Sequence, residues 1–359
     1  MKHKVLLSAV IIVGLVLLVF TPESIGKDFF QDKIIRIIAG YPPGGGVDTE
    51  ARLVSRYLPK YIPGRPKFIV LNMPGAGGRI ALNHASNIAK RDGLTWIVIP
   101  TSPNAFQILD KNRKFDLTEM IYLRGSSEPG ATVIRDITGV KEPADLLKID
   151  PKLLVMPGRS VPDAPQMALK AALDVLGVKS GYKASFGYAG TARITAALLQ
   201  GEATFYTFAL INVLKGGALS EPIEQGKAIP LWQSGVINSK GEVVRDERLD
   251  MPTFKEVYQK LTGKAPSGVA WQAYKAAGPA ARTLNRCVLT TPGVPPDRVK
   301  IMRNAFDAMR KDPEYQTSIK RITGFEPETF PGELAQKLIK NHVESVTPEV
   351  LAYMRSIMK

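Results

Sequence analysis

Residues 34–58 read IIRIIAGYPPGGGVDTEARLVSRYL, and no other stretch restricts the fold as much. Ile34, Ile35, Ile37 and Ile38 form a β-branched run of the kind that packs well on a pleated sheet. Pro42, Pro43, Gly44, Gly45 and Gly46 then break it. Beyond the break, Ala51, Val54 and Leu58 recur on one face at helical spacing, predicting a helix over residues 49–58. Asp48 is placed to cap that helix and Glu50 to complement its dipole. Strand, glycine loop and helix start in succession leave backbone N–H groups facing open space, which suits an anion.

The theme recurs. A strand over 68–71 leads to Pro74, Gly75, Ala76, Gly77 and Gly78, then a helix over 79–90. After the Asp92-Gly93 turn, residues 94–99 are almost continuously apolar, as in a strand buried on both faces, and a polar loop over 100–104 follows. In an open parallel sheet these carboxyl ends share one edge, where ligands bind. Around residues 125–130 the chain becomes turn-rich, and a short strand over 131–134 marks a first crossing into a second domain. There, a strand over 152–156 precedes the loop 157–162, and a strand over 182–186 precedes the loop 187–191. Residues 228–233 read as the returning strand and 238–250 as a charged loop. Helices over 253–261, 297–311, 332–340 and 349–357 then pack on the first domain. The expected architecture is α/β, with one domain of residues 27–125 plus 234–359 and a second of 126–233.

Several function classes drop out. At 359 residues with a net charge of +15, the chain is basic, but its Lys and Arg are dispersed and lack an arginine-rich arm, so nucleic acid is not expected as a partner. Lys2 and Lys4 precede an apolar run over 5–20, shorter than the roughly 20 residues of a spanning helix. Ser24 and Gly26 then fit a cleavage site, so residues 1–26 read as an export signal, with an uncleaved anchor as the alternative. Cys287 is the single cysteine, which excludes an internal disulfide, and it is expected to be buried. His3 lies in the signal, and His84 and His342 fall in helical stretches, where a lone histidine is usually a surface or capping residue. Neither glycine loop carries the GxxxxGK[ST] or GxGxxG pattern, and there is no GxSxG elbow. No cofactor, metal or catalytic residue is expected. Capture remains: Gly44, Gly45, Gly46, Thr49, Ala76, Gly77, Gly78, Ser102, Ser160 and Thr191 offer N–H groups, small side chains and hydroxyls to a carboxylate.

With IIRIIAGYPPGGGVDTEARLVSRYL and NMPGAGGRIALNHASNIAKRDGLTWIVI set beside YAGTARITAALLQGEATF, the chain resembles the tripartite tricarboxylate transporter substrate-binding receptors, the TctC-like or Bug family. VPPDRVKIMRNAFDAMRKDPEYQTSIKRITGFEPETF is similar to the family's C-terminal region. The resemblance implies a type II periplasmic binding-protein fold, in which two α/β domains joined by crossing strands close a ligand cleft. It implies a small organic acid as ligand, membrane subunits of a tripartite tricarboxylate transporter as partners, a periplasmic location, a monomer and no enzymatic activity. A receptor that senses its ligand for a membrane signalling partner is the alternative; an envelope enzyme on the same scaffold comes third. Carried over by residue, the first loop contributes Gly44, Gly45, Gly46, Asp48 and Thr49. The second loop contributes Ala76, Gly77 and Gly78, the third strand's end Ser102, and the other domain Ala189, Gly190 and Thr191. The segment PGRSVPDAPQM departs from the family pattern and brings in Arg159 and Ser160. Either Arg159 or Arg193 is expected to meet a second carboxylate. Phe205, Tyr206 and Phe208 either face an aromatic ligand or belong to a core strand; Phe208 is carried forward as a ligand contact.

Overall fold

The structure, a computed structural model, describes residues 29–358 apart from 101, 111–112, 179 and 239. The expected export signal lies outside the described residues. Among the described residues no helix is long and apolar enough to cross a membrane.

The chain forms β1 (Ile34–Ala39), β2 (Lys67–Asn72), β3 (Thr95–Ile99), β4 (Ile121–Ser127), β5 (Gly130–Arg135), β6 (Val155–Pro157) and β7 (Lys183–Ser185). It continues through β8 (Phe205–Ala209), β9 (Ala228–Gln233), β10 (Val236–Ile237), β11 (Val243–Val244), β12 (Cys287–Thr290) and β13 (Glu328–Pro331). Six of these make one sheet in the order β13-β4-β12-β3-β1-β2. β1 pairs in parallel with β2 and β3, so the carboxyl ends of all three lie on one edge. β12 runs antiparallel between β3 and β4, which makes the sheet mixed.

β3 shows why its sequence is apolar throughout. Trp96 and Val98 enter one core with Ile35, Val54, Met302 and Phe306; Ile97 and Ile99 enter another with Ala81, Leu82, Ala335 and Ile339. Successive side chains of a strand point to opposite faces, so a strand covered by helices on both sides needs apolar residues at every position. Each fully buried Ile or Val contributes roughly 1.5–3 kcal/mol.

A second sheet has the order β8-β5-β9, with β6 and β7 paired separately. Its core draws in Phe205, Trp232 and Leu173, but also Phe254, Trp271, Tyr274, Val350 and Met354. The Phe254 ring lies 5.1 Å from Trp232 and 4.7 Å from Tyr274. Thus the helices Phe254–Thr262 and Pro348–Ser356, which the sequence reading puts on the first domain, pack on the second core, together with the helix Gly268–Lys275, which the sequence reading does not give. An amphipathic helix declares that it has an apolar face, not which sheet will cover it.

The turn expected around Gly125 is also absent: β4 runs through it to Ser127. A side chain at Gly125 would place its Cβ 2.0 Å from the Phe330 ring on β13. The glycine admits an aromatic ring over the strand and does not reverse the chain. Three segments cross side by side between the sheets. Ser234 N donates to Gly130 O at 2.7 Å and Gly130 N to Ser234 Oγ at 2.9 Å. Glu128 N donates to Arg282 O at 3.1 Å and Asn285 N to Ser126 O at 2.9 Å.

Candidate functional site

The first loop is braced from within. The helix that follows it spans Gly46–Tyr57, with Gly45 at its N-cap, so it starts earlier than the apolar spacing predicts. Asp48 therefore sits inside the first turn and does not cap it. Its carboxylate is buried and accepts from Gly44 N (2.9 Å), Arg52 Nε (2.9 Å), Arg52 Nη2 (3.0 Å) and Asn72 Nδ2 (2.9 Å). Burial pushes the Asp48 carboxyl up, but the bonds from Arg52, Gly44 and Asn72 outweigh it and hold the group below its ordinary range. With both oxygens bonded to the protein, Asp48 shapes the loop.

Asn72, at the end of β2, also donates to Tyr41 O at 3.0 Å, and the Tyr41 hydroxyl donates to Gly77 O at 2.7 Å. Those bonds stitch the first loop to the second. In the second loop Gly77 (φ 66°) and Gly78 (φ 94°) are left-handed, and a Cβ on Gly78 would stand 3.3 Å from the Tyr41 ring. Glycine adopts that backbone without a Cβ penalty and leaves room for the Tyr41 ring beside it.

Opposite the first loop stands Arg286. A Cβ on Gly46 would lie 2.9 Å from its Nη2. Arg286 takes a left-handed φ of 59°, a conformation that a non-glycine residue keeps only where its surroundings hold it. Its Nη2 pairs with Glu128 at 2.9 Å, and Asn285 Nδ2 donates to Glu128 Oε2 at 2.8 Å. Four residues earlier, Arg282 donates from Nη2 to Thr207 O at 3.0 Å. On the second sheet's side, Arg159 Nε donates to Asp163 Oδ2 at 2.8 Å and the Tyr206 hydroxyl to Asp163 Oδ1 at 3.2 Å.

These groups form one electrostatic ring. Arg282 interacts with Glu128, Tyr206, Arg159 and Asp163, and Arg159 with Tyr206 and Tyr41. Tyr41 of the first loop is within electrostatic reach of Arg159, and Arg286 stands beside Gly46 of the same loop. Three guanidinium groups against two carboxylates leave one positive charge in excess. The side chains of Arg159 and Arg286 are each only 10% exposed. Burial disfavours the charge on Arg159, but Asp163, Tyr206 and Tyr41 outweigh it and hold the group well above its ordinary value. Burial dominates at Arg282 and lowers it, against the pull of Glu128 and Tyr206. An arginine so shifted is still a cation. Beside Arg159, the Ser160 hydroxyl is buried without a hydrogen-bond partner.

The other sequence-selected residues divide. Gly44, Gly45 and Ala76 are exposed, and Thr49 and Gly77 are half-buried. Ser102 opens a helix, Ser102–Leu109, where a loop is expected; its side chain lies outside the described residues. Ala189 is exposed, and Gly190 and Thr191 are half-buried where the helix Thr191–Gln200 begins. Arg193 is exposed on that helix, so of the two arginines considered only Arg159 joins the ring. Phe208, expected as a ligand contact, is fully buried and packs edge-on against Tyr206 at 5.2 Å. It is a core residue, because β8 is covered on both faces. Sequence reasoning missed Glu128, Arg282 and Arg286. The available signal was the pair of arginines four apart in the otherwise uncharged run from 276 to 291, directly before β12.

No protein-family profile matches the chain, and no curated protein matches it. Solved structures do. The periplasmic binding protein BugD superposes with a TM-score of 0.66 at 16% identity, over 92% of this chain and 99% of that one. MatC from Rhodopseudomonas palustris, solved with malate, superposes with a TM-score of 0.63 at 15% identity, over 91% and 99%. Rpa4515 from R. palustris, solved with adipate, superposes with a TM-score of 0.63 at 16% identity, over 90% and 97%. The chain thus has the type II periplasmic binding-protein fold seen in the Bug and TctC proteins, two α/β domains joined by crossing strands with a cleft between them.

Proposed function

We propose that this protein is an exported solute-binding receptor that captures an organic acid through a carboxylate and delivers it to the membrane subunits of a tripartite tricarboxylate-type transporter. The observation that carries the reading is the meeting of Arg286 with the N-terminus of the helix Gly46–Tyr57. A cation beside the positive end of a helix dipole is unfavourable until an anion lies between them. Glu128 acts on both Arg286 and Arg282, and Asp163 pairs with Arg159, so the cluster as a whole keeps one positive charge for a ligand carboxylate. Gly44, Gly45 and Gly46 let that carboxylate approach the backbone, while Arg159 and the Ser160 hydroxyl face the ligand from the opposite lobe. MatC and Rpa4515 were solved with malate and adipate, so four- and six-carbon dicarboxylates are the first ligands to try. The lobes close on the acid about the crossing segments, and no bond of the ligand changes.

Calorimetry with malate, adipate and the uncharged adipamide tests this. One of the acids should bind at one site per chain and raise the melting temperature, by about 2.7 kcal/mol of added stability at a hundredfold excess over Kd. Adipamide should do neither. Equal response to acid and amide would overturn the carboxylate reading, and turnover of the bound acid would overturn the receptor reading.

A further inference from the structure

The segment that carries Arg282 and Arg286 also borders a second cavity. The helix Gly268–Lys275 runs into a π-helical turn, Ala276–Ala280, and then into the short helix Ala281–Thr283. π-Turns are rare and recur at functional sites. Ala276, Ala280, Thr283 and Leu284 of this segment line a cavity of about 200 Å³ closed on its other side by Leu338 and His342. No residue of the arginine ring lines it.

His342 sets its chemistry. The sequence reading expects a surface or capping residue, but His342 is 6% exposed and neither Nδ1 nor Nε2 has a partner. A neutral imidazole has one donor and one acceptor nitrogen, and leaving both unpaired while buried is costly. Burial brings its pKa down to about 4, so the ring is neutral near pH 7 and faces a ligand as a hydrogen-bonding group. Lys275, also in the lining, is shifted down by burial and then by Lys255, and among the described residues no acid opposes that shift. The rest of the wall is apolar at Ile237, Ala276, Ala280, Leu284 and Leu338 and polar at Asn238, Gln272, Thr283, Asn341 and Ser345. A single cation, one neutral hydrogen-bonding ring and an apolar patch within a mixed wall suit a molecule with one negative end and a compact apolar body.

We propose that this cavity is a second binding site, separate from the arginine ring, for a small monocarboxylic acid with an aromatic or short aliphatic body. The carboxylate meets Lys275, the body lies on Ile237, Ala280 and Leu338, and His342 bonds to a polar atom of the ligand.

Benzoate serves as the probe and benzyl alcohol as its uncharged counterpart, added to the full chain saturated with whichever dicarboxylate it binds, or without one if none binds. The readout is the His342 imidazole signal in a carbon-edited NMR spectrum, with circular dichroism confirming that each variant is folded. Benzoate should shift that signal saturably, and benzyl alcohol should need about tenfold more. Lys275→Gln should weaken benzoate about tenfold, and Ala280→Phe, which fills the cavity, should remove the shift; dicarboxylate binding at the ring should be unaffected in both. The proposal is overturned if the His342 signal does not respond, if Lys275→Gln leaves the response unchanged, or if benzoate binding survives Ala280→Phe and is lost with Arg286→Ala. These outcomes report on the cavity whether or not the arginine ring binds a dicarboxylate.

Discussion

The Arg286 guanidinium stands 2.9 Å from the point a Cβ on Gly46 would occupy, so the first helix begins against a cation held by Glu128. Gly46→Ala tests the relationship directly. The arginine tip must shift by some tenths of an ångström, which the fold tolerates, but its aim at the helix N-terminus is lost. Losing one charge-assisted hydrogen bond of about 1.5–3 kcal/mol should weaken dicarboxylate binding about 10- to 100-fold. Calorimetry should show this while the melting temperature moves little.

Arg286→Ala acts differently, because Glu128 is only 3% exposed and would keep a buried charge without its cation. Breaking such a pair from one side costs about 3–5 kcal/mol. Adding Glu128→Gln removes the stranded charge, and urea unfolding should show the double variant recovering most of the loss. A double variant no more stable than Arg286→Ala would mean that the guanidinium's packing matters and its charge does not.

Asp48 makes part of the stability pH-dependent. Its pKa is lower in the folded protein than its ordinary 3.8, so its contribution is fully present above that value and is lost as pH falls through the lower folded value. Asp48→Asn should therefore lower the urea midpoint at pH 7, and the gap to the parent protein should narrow below pH 4. A gap that stays constant with pH would assign the effect to hydrogen-bond geometry alone.

Cys287 is fully buried on β12, and burial pushes its thiol up to about 12. The thiolate is the reactive form, so the native thiol should be inert. Labelling by a disulfide reagent at pH 8 should proceed only at the rate of unfolding and accelerate with urea. Fast stoichiometric labelling in buffer would contradict the burial.

Local physics made much of this protein legible in advance. Ile34 to Ile38 form a strand because their branched side chains suit a pleat, and β9 spans residues 228–233 as expected. Thr253 and Glu256 satisfy each other's backbone N–H groups in a capping box, so the helix Phe254–Thr262 starts where the sequence reading sets it. The paired glycine loops were visible because only small residues make such turns. The placement of the charges was not visible. Glu128 and Arg286 are far apart in the chain, and two crossing segments bring them to 2.9 Å. Phe208 and Arg193 were read alike from sequence as side chains available to a ligand, yet one is fully buried and the other faces solvent. Periodicity shows that a face is apolar, and a charge count shows that cations exist. Only the packing of two lobes decides which face is covered, which cations lose their water, and which of them retain a charge for a ligand to neutralise.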